Sequence, residues 1–204
     1  DVFNAITTGD NNTAVGFYSL DANTTGYKNT AVGGASLTAN TAGYLNTAIG
    51  YDALPNNTTG DKNVALGSES LKANTDGYAN VAAGSESLDK NTTGEYNIAI
   101  GYESMGENTT GDNNVGVGRG AGDVITTGTN NVIIGGNSDP SANNATNQIV
   151  IGQGATGTGN NYAVIGNTDI TRVYAAQDGA GVLYANGTIQ SSDRRVKKSI
   201  NTLA

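Results

Sequence analysis

The sequence predicts an all-β chain wound as a parallel β-roll, a β-solenoid of 17-residue coils. Three observations lead there. Two glycine ladders keep a step of 17: Gly9, Gly26, Gly43, Gly60, Gly77, Gly94, Gly111 and Gly128, then Gly16, Gly33, Gly50, Gly67, Gly84, Gly101, Gly118, Gly135 and Gly152. An asparagine ladder has the same step: Asn12, Asn29, Asn46, Asn63, Asn80, Asn97, Asn114 and Asn131, with Gln148 in the ninth place. Each period also carries a short alternating apolar run, and no insertion breaks the register over about nine units.

The run Asn12-Thr13-Ala14-Val15-Gly16 opens a unit, with cognates such as Asn46-Thr47-Ala48-Ile49-Gly50 and Asn97-Ile98-Ala99-Ile100-Gly101. Alternation reads it as a strand with Val15, Val32, Ile49, Leu66, Ile100, Val117 and Ile134 on one face beside Thr13 and its equivalents. The small residue between them (Ala14, Ala31, Ala48, Ala65, Ala82, Ala99, Gly116) points the other way, where space must be tight. A turn leads to an apolar position: Leu20, Leu37, Leu54, Leu71, Leu88 and Met105. Asn-Thr-Thr-Gly closes the unit, with glycine expected at φ > 0 and asparagine bonding its own backbone. One such unit cannot fold alone, but coils stacked at about 4.8 Å form a rod section roughly 43 Å long. The asparagines are expected to act as turn formers and as amide ladders along the rod.

One Val or Ile, one Leu and a few Ala or Tyr make a thin core for 17 ordered residues. The row of small residues suggests a face pressed against another backbone. Both points favour a homotrimer around one axis.

The periodic array spans residues 1–152. Beyond Gly152 the register is lost, and Asn161-Tyr162-Ala163-Val164-Ile165-Gly166 echoes the motif only 14 residues on. Residues 153–190 read as an irregular β connector, and 191–204 as the start of a further domain opening on a short helix. There Ser192 or Asp193 would cap a turn carrying Val196 and Ile200.

Composition removes many chemistries. With no Cys and no His there is no zinc finger, no thiol redox site, and no Ser-His or Cys-His nucleophile pair. No apolar run exceeds four residues, so nothing in the sequence is expected to span a membrane as a helix. Asp1-Val2-Phe3-Asn4 shows neither the basic nor the apolar stretch of a signal peptide. A net charge of −8 argues against nucleic acid as a partner. No cofactor or metal is expected. Asp10, Asp61 and Asp112 recur beside the turn glycine, but Tyr27, Tyr44, Tyr78 and Glu95 hold the equivalent sites, unlike a calcium solenoid.

The repeat units resemble the head repeats of trimeric autotransporter (YadA-like) adhesins, and more closely the related repeats of phage-type tail-fibre proteins. The resemblance covers about residues 4–152 and implies a trimeric left-handed parallel β-roll devoted to surface attachment. The 17-residue period departs from the somewhat shorter units of many adhesin heads. Ser191-Ser192-Asp193-Arg194-Arg195-Val196-Lys197-Lys198-Ser199-Ile200 resembles the opening of the intramolecular chaperone auto-processing (S74 peptidase-type) domain that ends many fibre proteins. That resemblance implies Ser192 as nucleophile, Lys197 as general base and Ser192-Asp193 as the bond cut in a single self-cleavage. A lysine can serve so only if burial or the charges of Arg194, Arg195 and Lys198 lower its pKa.

The expected function is therefore a structural and adhesive fibre segment, extracellular, on a tail fibre or cell-surface appendage. Its partners would be two further copies, a larger fibre or phage-like assembly, and a host-surface receptor such as a glycan. Turnover of other molecules is not expected. Two alternatives stay open. A flat ice-binding face could use Thr24, Thr41, Thr58, Thr75, Thr92 and Thr109, although Asp76 interrupts the neighbouring row. A polysaccharide depolymerase could use the stacked carboxylates Asp52, Glu69, Glu86 and Glu103. Tyr18, Tyr51 and Tyr102, with Tyr27, Tyr44 and Tyr78, could meet sugars or pack between chains.

Overall fold

The computed structural model describes residues 4–173. Residues up to Ile170 belong to one compact unit, and a second begins at Thr171. The first unit is an all-β parallel solenoid. Its strands are three residues each: β1 (Thr13–Val15), β2 (Thr30–Val32), β3 (Thr47–Ile49), β4 (Val64–Leu66), β5 (Val81–Ala83), β6 (Ile98–Ile100), β7 (Val115–Val117), β8 (Val132–Ile134), β9 (Ile149–Ile151) and β10 (Ala163–Ile165). They form one ten-stranded sheet in chain order. Thr13 pairs with Thr30, Ala14 with Ala31 and Val15 with Val32, and the same register repeats up the sheet. The last step is a 14-residue coil, with Ala163 beside Ile149, so the sheet continues one strand into the segment read as connector.

The strand faces follow the alternation, but the small row does not meet another chain. Ala31, Ala48, Ala65, Ala82 and Ala99 are fully buried inside their own coils, against the equally buried column Leu20, Leu37, Leu54, Leu71, Leu88 and Met105. A short inward side chain on the strand leaves room for a long one from the opposite turn. The Val and Ile row that was counted toward the core lies outside.

The two asparagine ladders complete the interior. Each Asn29-type amide caps the next coil: the N–H of Asn46 donates to Asn29 Oδ1 at 2.9 Å, and Asn46 Nδ2 donates to Gly60 O at 2.8 Å. The Asn23-type amides bond one another directly, Asn40 Nδ2 to Asn23 Oδ1 at 2.7 Å, and close their own turn on Gly43 O at 3.0 Å. Every buried amide atom in a run thus meets a partner supplied by the repeat itself. Where the second ladder ends, at Ile125, Asn108 Oδ1 is left buried without a hydrogen-bond partner.

The backbone corners differ from the sequence expectation. Left-handed φ recurs at Lys28, Leu45 and Lys62, at Asp52, Glu69 and Glu86, and at every residue of the leucine column, with Leu37 at 50°. A left-handed non-glycine residue costs about 1–2 kcal/mol. Burying the leucine side chain contributes about 1.5–3 kcal/mol, which offsets that strain. The glycines closing Asn-Thr-Thr-Gly, by contrast, do not take positive φ. They are held to glycine by crowding, since a β-carbon at Gly43 would overlap Gly60 O and Asn40 Oδ1 of the stack. The other glycine ladder has both reasons: Gly67 sits at φ 134°, and a β-carbon there would stand 2.6 Å from the carbonyl carbon of Gly84.

Toward the C-terminal coils the packing is exchanged rather than lost. Gly122 replaces the column leucine, while the inward strand residue grows to Ile133 and then Val150, both buried. A β-carbon at Gly122 would meet Ile125 Cδ1 and Met105 Cγ at 3.2 Å and Ile133 Cγ1 at 3.6 Å. Core volume has moved from the turn to the strand. One coil earlier Gly116 makes room for Met105, whose Cγ would lie 2.8 Å from an added β-carbon.

Candidate interaction surfaces

The described residues present four long surfaces, each fixed by one position of the repeat. On the outer sheet face the first residues of the strands run from Thr13, Thr30 and Thr47 to Val64, Val81, Ile98, Val115, Val132 and Ile149. The third residues run Val15, Val32, Ile49, Leu66, Ala83, Ile100, Val117, Ile134 and Ile151. Val15 is 59% exposed, Ile49 and Ile100 43% and Ile134 38%. The third-residue column is apolar along the ten-stranded sheet, about 43 Å long at about 4.8 Å per strand, and the first-residue column joins it as Val and Ile from Val64 on.

The corner entering each strand carries Tyr27, Tyr44, Asp61, Tyr78 and Glu95, followed by the left-handed Lys28, Leu45, Lys62, Ala79 and Tyr96. Its aromatic rings partner one another. Tyr27 stacks on Tyr44 with centroids 4.8 Å apart, and Tyr78 meets Tyr96 edge-on at 5.2 Å. Lys62 Nζ lies 4.9 Å from the Tyr78 ring centre and donates to its hydroxyl at 2.9 Å. That bond holds the Lys62 ammonium above its ordinary pKa and the Tyr78 phenol below its own. The N–H of Tyr44 donates to Asp61 Oδ1 at 2.9 Å, and the Asp61 charge pushes the Tyr44 phenol up.

The corner leaving each strand carries Phe17, Gly34, Tyr51, Ser68, Ser85 and Tyr102, followed by Tyr18, Ala35, Asp52, Glu69, Glu86 and Glu103. The carboxylate row predicted from the sequence stands here, one residue per coil and each left-handed. Lys72 Nζ pairs with Glu69 Oε2 at 2.7 Å. Tyr102 donates its hydroxyl to Glu103 Oε1 at 2.9 Å, and that carboxylate raises the phenol pKa. A cleft of about 400 Å³ adjoins the row, lined by Glu86, Asp89, Lys90, Glu103, Glu107 and Asp123. Desolvation pushes the Asp89 carboxyl up. Further along, Asp139 is raised to about 6, chiefly by desolvation and then by the charge of Asp123, and its Oδ1 has no hydrogen-bond partner.

On the threonine side the sequence placed a candidate flat array. The Thr24-type hydroxyls are already committed: Thr24 Oγ1 donates to Thr41 O at 2.8 Å, Thr92 to Thr109 O at 3.0 Å and Thr109 to Thr126 O at 3.0 Å. The next row, Thr25, Thr59, Thr93 and Thr110, is exposed but includes Ala42 and Asp76. Hydroxyls of Thr59, Thr75 and Thr58 hold the Asp76 carboxyl below its usual pKa.

Ser192, Asp193 and Lys197 lie outside the described residues, as does the predicted helix start. The asparagine and glycine ladder residues are interior scaffold. Sequence reasoning named the sheet residues but took them for core. The signal that would have reversed this was the inward row itself, since alanines facing leucines already fill a narrow coil. No known family's sequence pattern matches this chain, and no curated protein matches it.

Proposed function

We propose that the chain is a structural and adhesive segment of an extracellular homotrimeric fibre, a tail fibre or a surface adhesin. The observation that carries the reading is the outward apolar strip. Its side chains follow the coil register along the whole sheet, and water is a poor environment for a column that is Val, Ile or Leu at every strand but Ala83, beside a second column that is Val or Ile from Val64 to Ile149. A three-fold axis along the rod brings three such strips together while all chains run the same way, as a continuous fibre requires. The resulting interface has an apolar centre and, at its margin, the paired tyrosines and charges of the entry corner. The committed Thr24-type hydroxyls weigh against ice as the target. Autoproteolytic release at Ser192-Asp193, with Ser192 attacking and Lys197 as base, belongs to the same reading and rests on the resemblance of residues 191–200.

Native mass spectrometry and sedimentation of the intact protein test the assembly. Wild type is expected as a trimer. Ile100→Lys together with Ile134→Lys should give monomers that keep the wild-type circular dichroism spectrum, because both positions lie outside the coil. A wild-type monomer, or a trimer indifferent to both lysines, overturns the reading. Denaturing mass spectrometry of the same samples reports whether chains end at Ser192.

A further inference from the structure

The two corners flanking the sheet both carry aromatic residues, and they use them differently. Entry-corner rings pair with each other and with lysines. On the exit corner Tyr51 is 62% exposed and takes part in no ring pair or side-chain hydrogen bond; Phe17, tilted against Tyr18 with centroids 3.9 Å apart, is still 66% exposed, and Tyr102, whose hydroxyl bonds Glu103, is 45% exposed. The Tyr51 ring lies over Gly34, its Cδ2 3.5 Å from where a β-carbon would stand. Small residues, Gly34, Ser68 and Ser85, separate the rings. The result is a line of exposed rings, with Tyr51 the one that no neighbouring side chain engages.

Their spacing is set by the coil. Measured along the backbone, Phe17 and Tyr51 are two coils apart, about 9.6 Å, and Tyr51 and Tyr102 three coils apart, about 14.4 Å. These match two and three residue repeats of an extended, equatorially linked pyranose chain, in which one ring and its glycosidic oxygen advance nearly as far as one coil. Such sugars present C–H faces that stack on aromatic rings and hydroxyls that need acceptors. Acceptors stand on the same corner: Asp52 follows Tyr51, Glu86 follows Ser85, and Glu103, which also accepts from the Tyr102 hydroxyl, lines the adjoining cleft with Glu86. Their charge excludes uronate- and sialate-rich chains. The left-handed backbone at Asp52, Glu86 and Glu103, φ 49°, 57° and 53°, repeats the same corner, so the ridge is built before any ligand arrives.

We propose that the exit corner from Phe17 to Tyr102 is a binding ridge for an extended, uncharged, β-1,4-linked polysaccharide. The proposal rests on the adhesive reading above and names its receptor class.

Calorimetry of the intact protein with β-1,4-linked glucose and N-acetylglucosamine oligomers of one to six units tests it, with an oligouronate as the charged control. Binding is expected to strengthen with length until Tyr51 and Tyr102 are both spanned, at about four to five sugars, and to be absent for the uronate. Tyr51→Ala should weaken it by about tenfold or more, as loss of a central aromatic anchor does. Tyr27→Ala, on the entry corner, should leave it unchanged. Thermal melts establish that both variants remain folded, and Tyr102→Ala gives a second reading of the ridge. No binding by any neutral oligomer, equal affinity for the monosaccharide, or indifference to both Tyr51→Ala and Tyr102→Ala overturns the proposal. Sedimentation of the same samples separates the two readings. A monomer that binds through Tyr51 keeps the ridge and removes the trimer. A trimer that falls apart on Tyr51→Ala assigns the ring to contact between copies and removes the ridge.

Discussion

Replacing Asn80 by alanine probes the interior amide ladder at its middle. Asn80 is fully buried and holds three partners: its own N–H donates to Asn63 Oδ1 at 2.9 Å, its Nδ2 donates to Gly94 O at 2.7 Å, and its Oδ1 accepts from the N–H of Asn97 at 2.9 Å. The backbone bond to Asn63 survives in Asn80→Ala. The bond to Gly94 O is lost, about 1 kcal/mol, although Asn91 Nδ2 still reaches that carbonyl at 3.1 Å. The larger cost is the buried N–H of Asn97, left without an acceptor at about 1–3 kcal/mol. The expected loss is about 2–4 kcal/mol. Urea unfolding followed by far-ultraviolet circular dichroism measures it. Thr92→Val is the control: it gives up a half-buried hydroxyl bond to Thr109 O at 3.0 Å and should cost about 1 kcal/mol. Asn80→Asp keeps the acceptor for Asn97 but sets a second oxygen against Gly94 O, so its loss should shrink on acidification, when the protonated carboxyl can donate. If Asn80→Ala falls within about 0.5 kcal/mol of wild type, the ladder is spectator and the argument from unmet buried groups fails.

Two further perturbations test the coil geometry. The Asp139 carboxyl, raised to about 6, favours the folded state when protonated; that stabilisation is full below the ordinary carboxylate pKa and is lost as pH rises through about 6. Asp139→Asn should therefore raise stability by about 1 kcal/mol at pH 7–8, after allowing for solvent screening of a half-buried group, and by nothing below pH 4. Melting temperature against pH for both proteins checks this, and a parallel pair of curves contradicts it. Gly67→Ala combines a strained φ with overlap on the Gly84 backbone and should cost more than about 2 kcal/mol by the same urea assay.

Much of the fold was legible because each coil repeats one solution. Fixed spacing of glycine, asparagine and leucine implied stacking in register, and Thr13, Ala14 and Val15 announced a strand by alternation. What escaped was conformation that no residue type advertises. Leu37 and Leu54 sit left-handed because neighbouring coils bury their side chains, a tertiary reason invisible in a leucine codeword. Gly43 and Gly60 look like turn glycines, but crowding by the next coil explains them. The exchange of Leu for Gly at 122 against Ala for Ile at 133 reads as decay of the repeat until the two are seen to share one space. Strand β10 showed only as an echo of the motif 14 residues on, and reads as connector until its end is seen to pair in register. The candidate surfaces suffered most, since the sequence marks which residues are apolar but not which side of a three-residue strand has a leucine behind it.

Hydrogen bonds between coils run along the rod, so a pull on its ends strains them directly and peels coils off one at a time. Each detachment frees 17 residues, about 50–56 Å of slack once the coil rise is subtracted. The 14-residue coil before β10 yields a shorter step, about 41–46 Å. A tether made this way lengthens in quanta under load, dissipating work at every release, and rewinds when tension falls because every coil re-forms on an identical template.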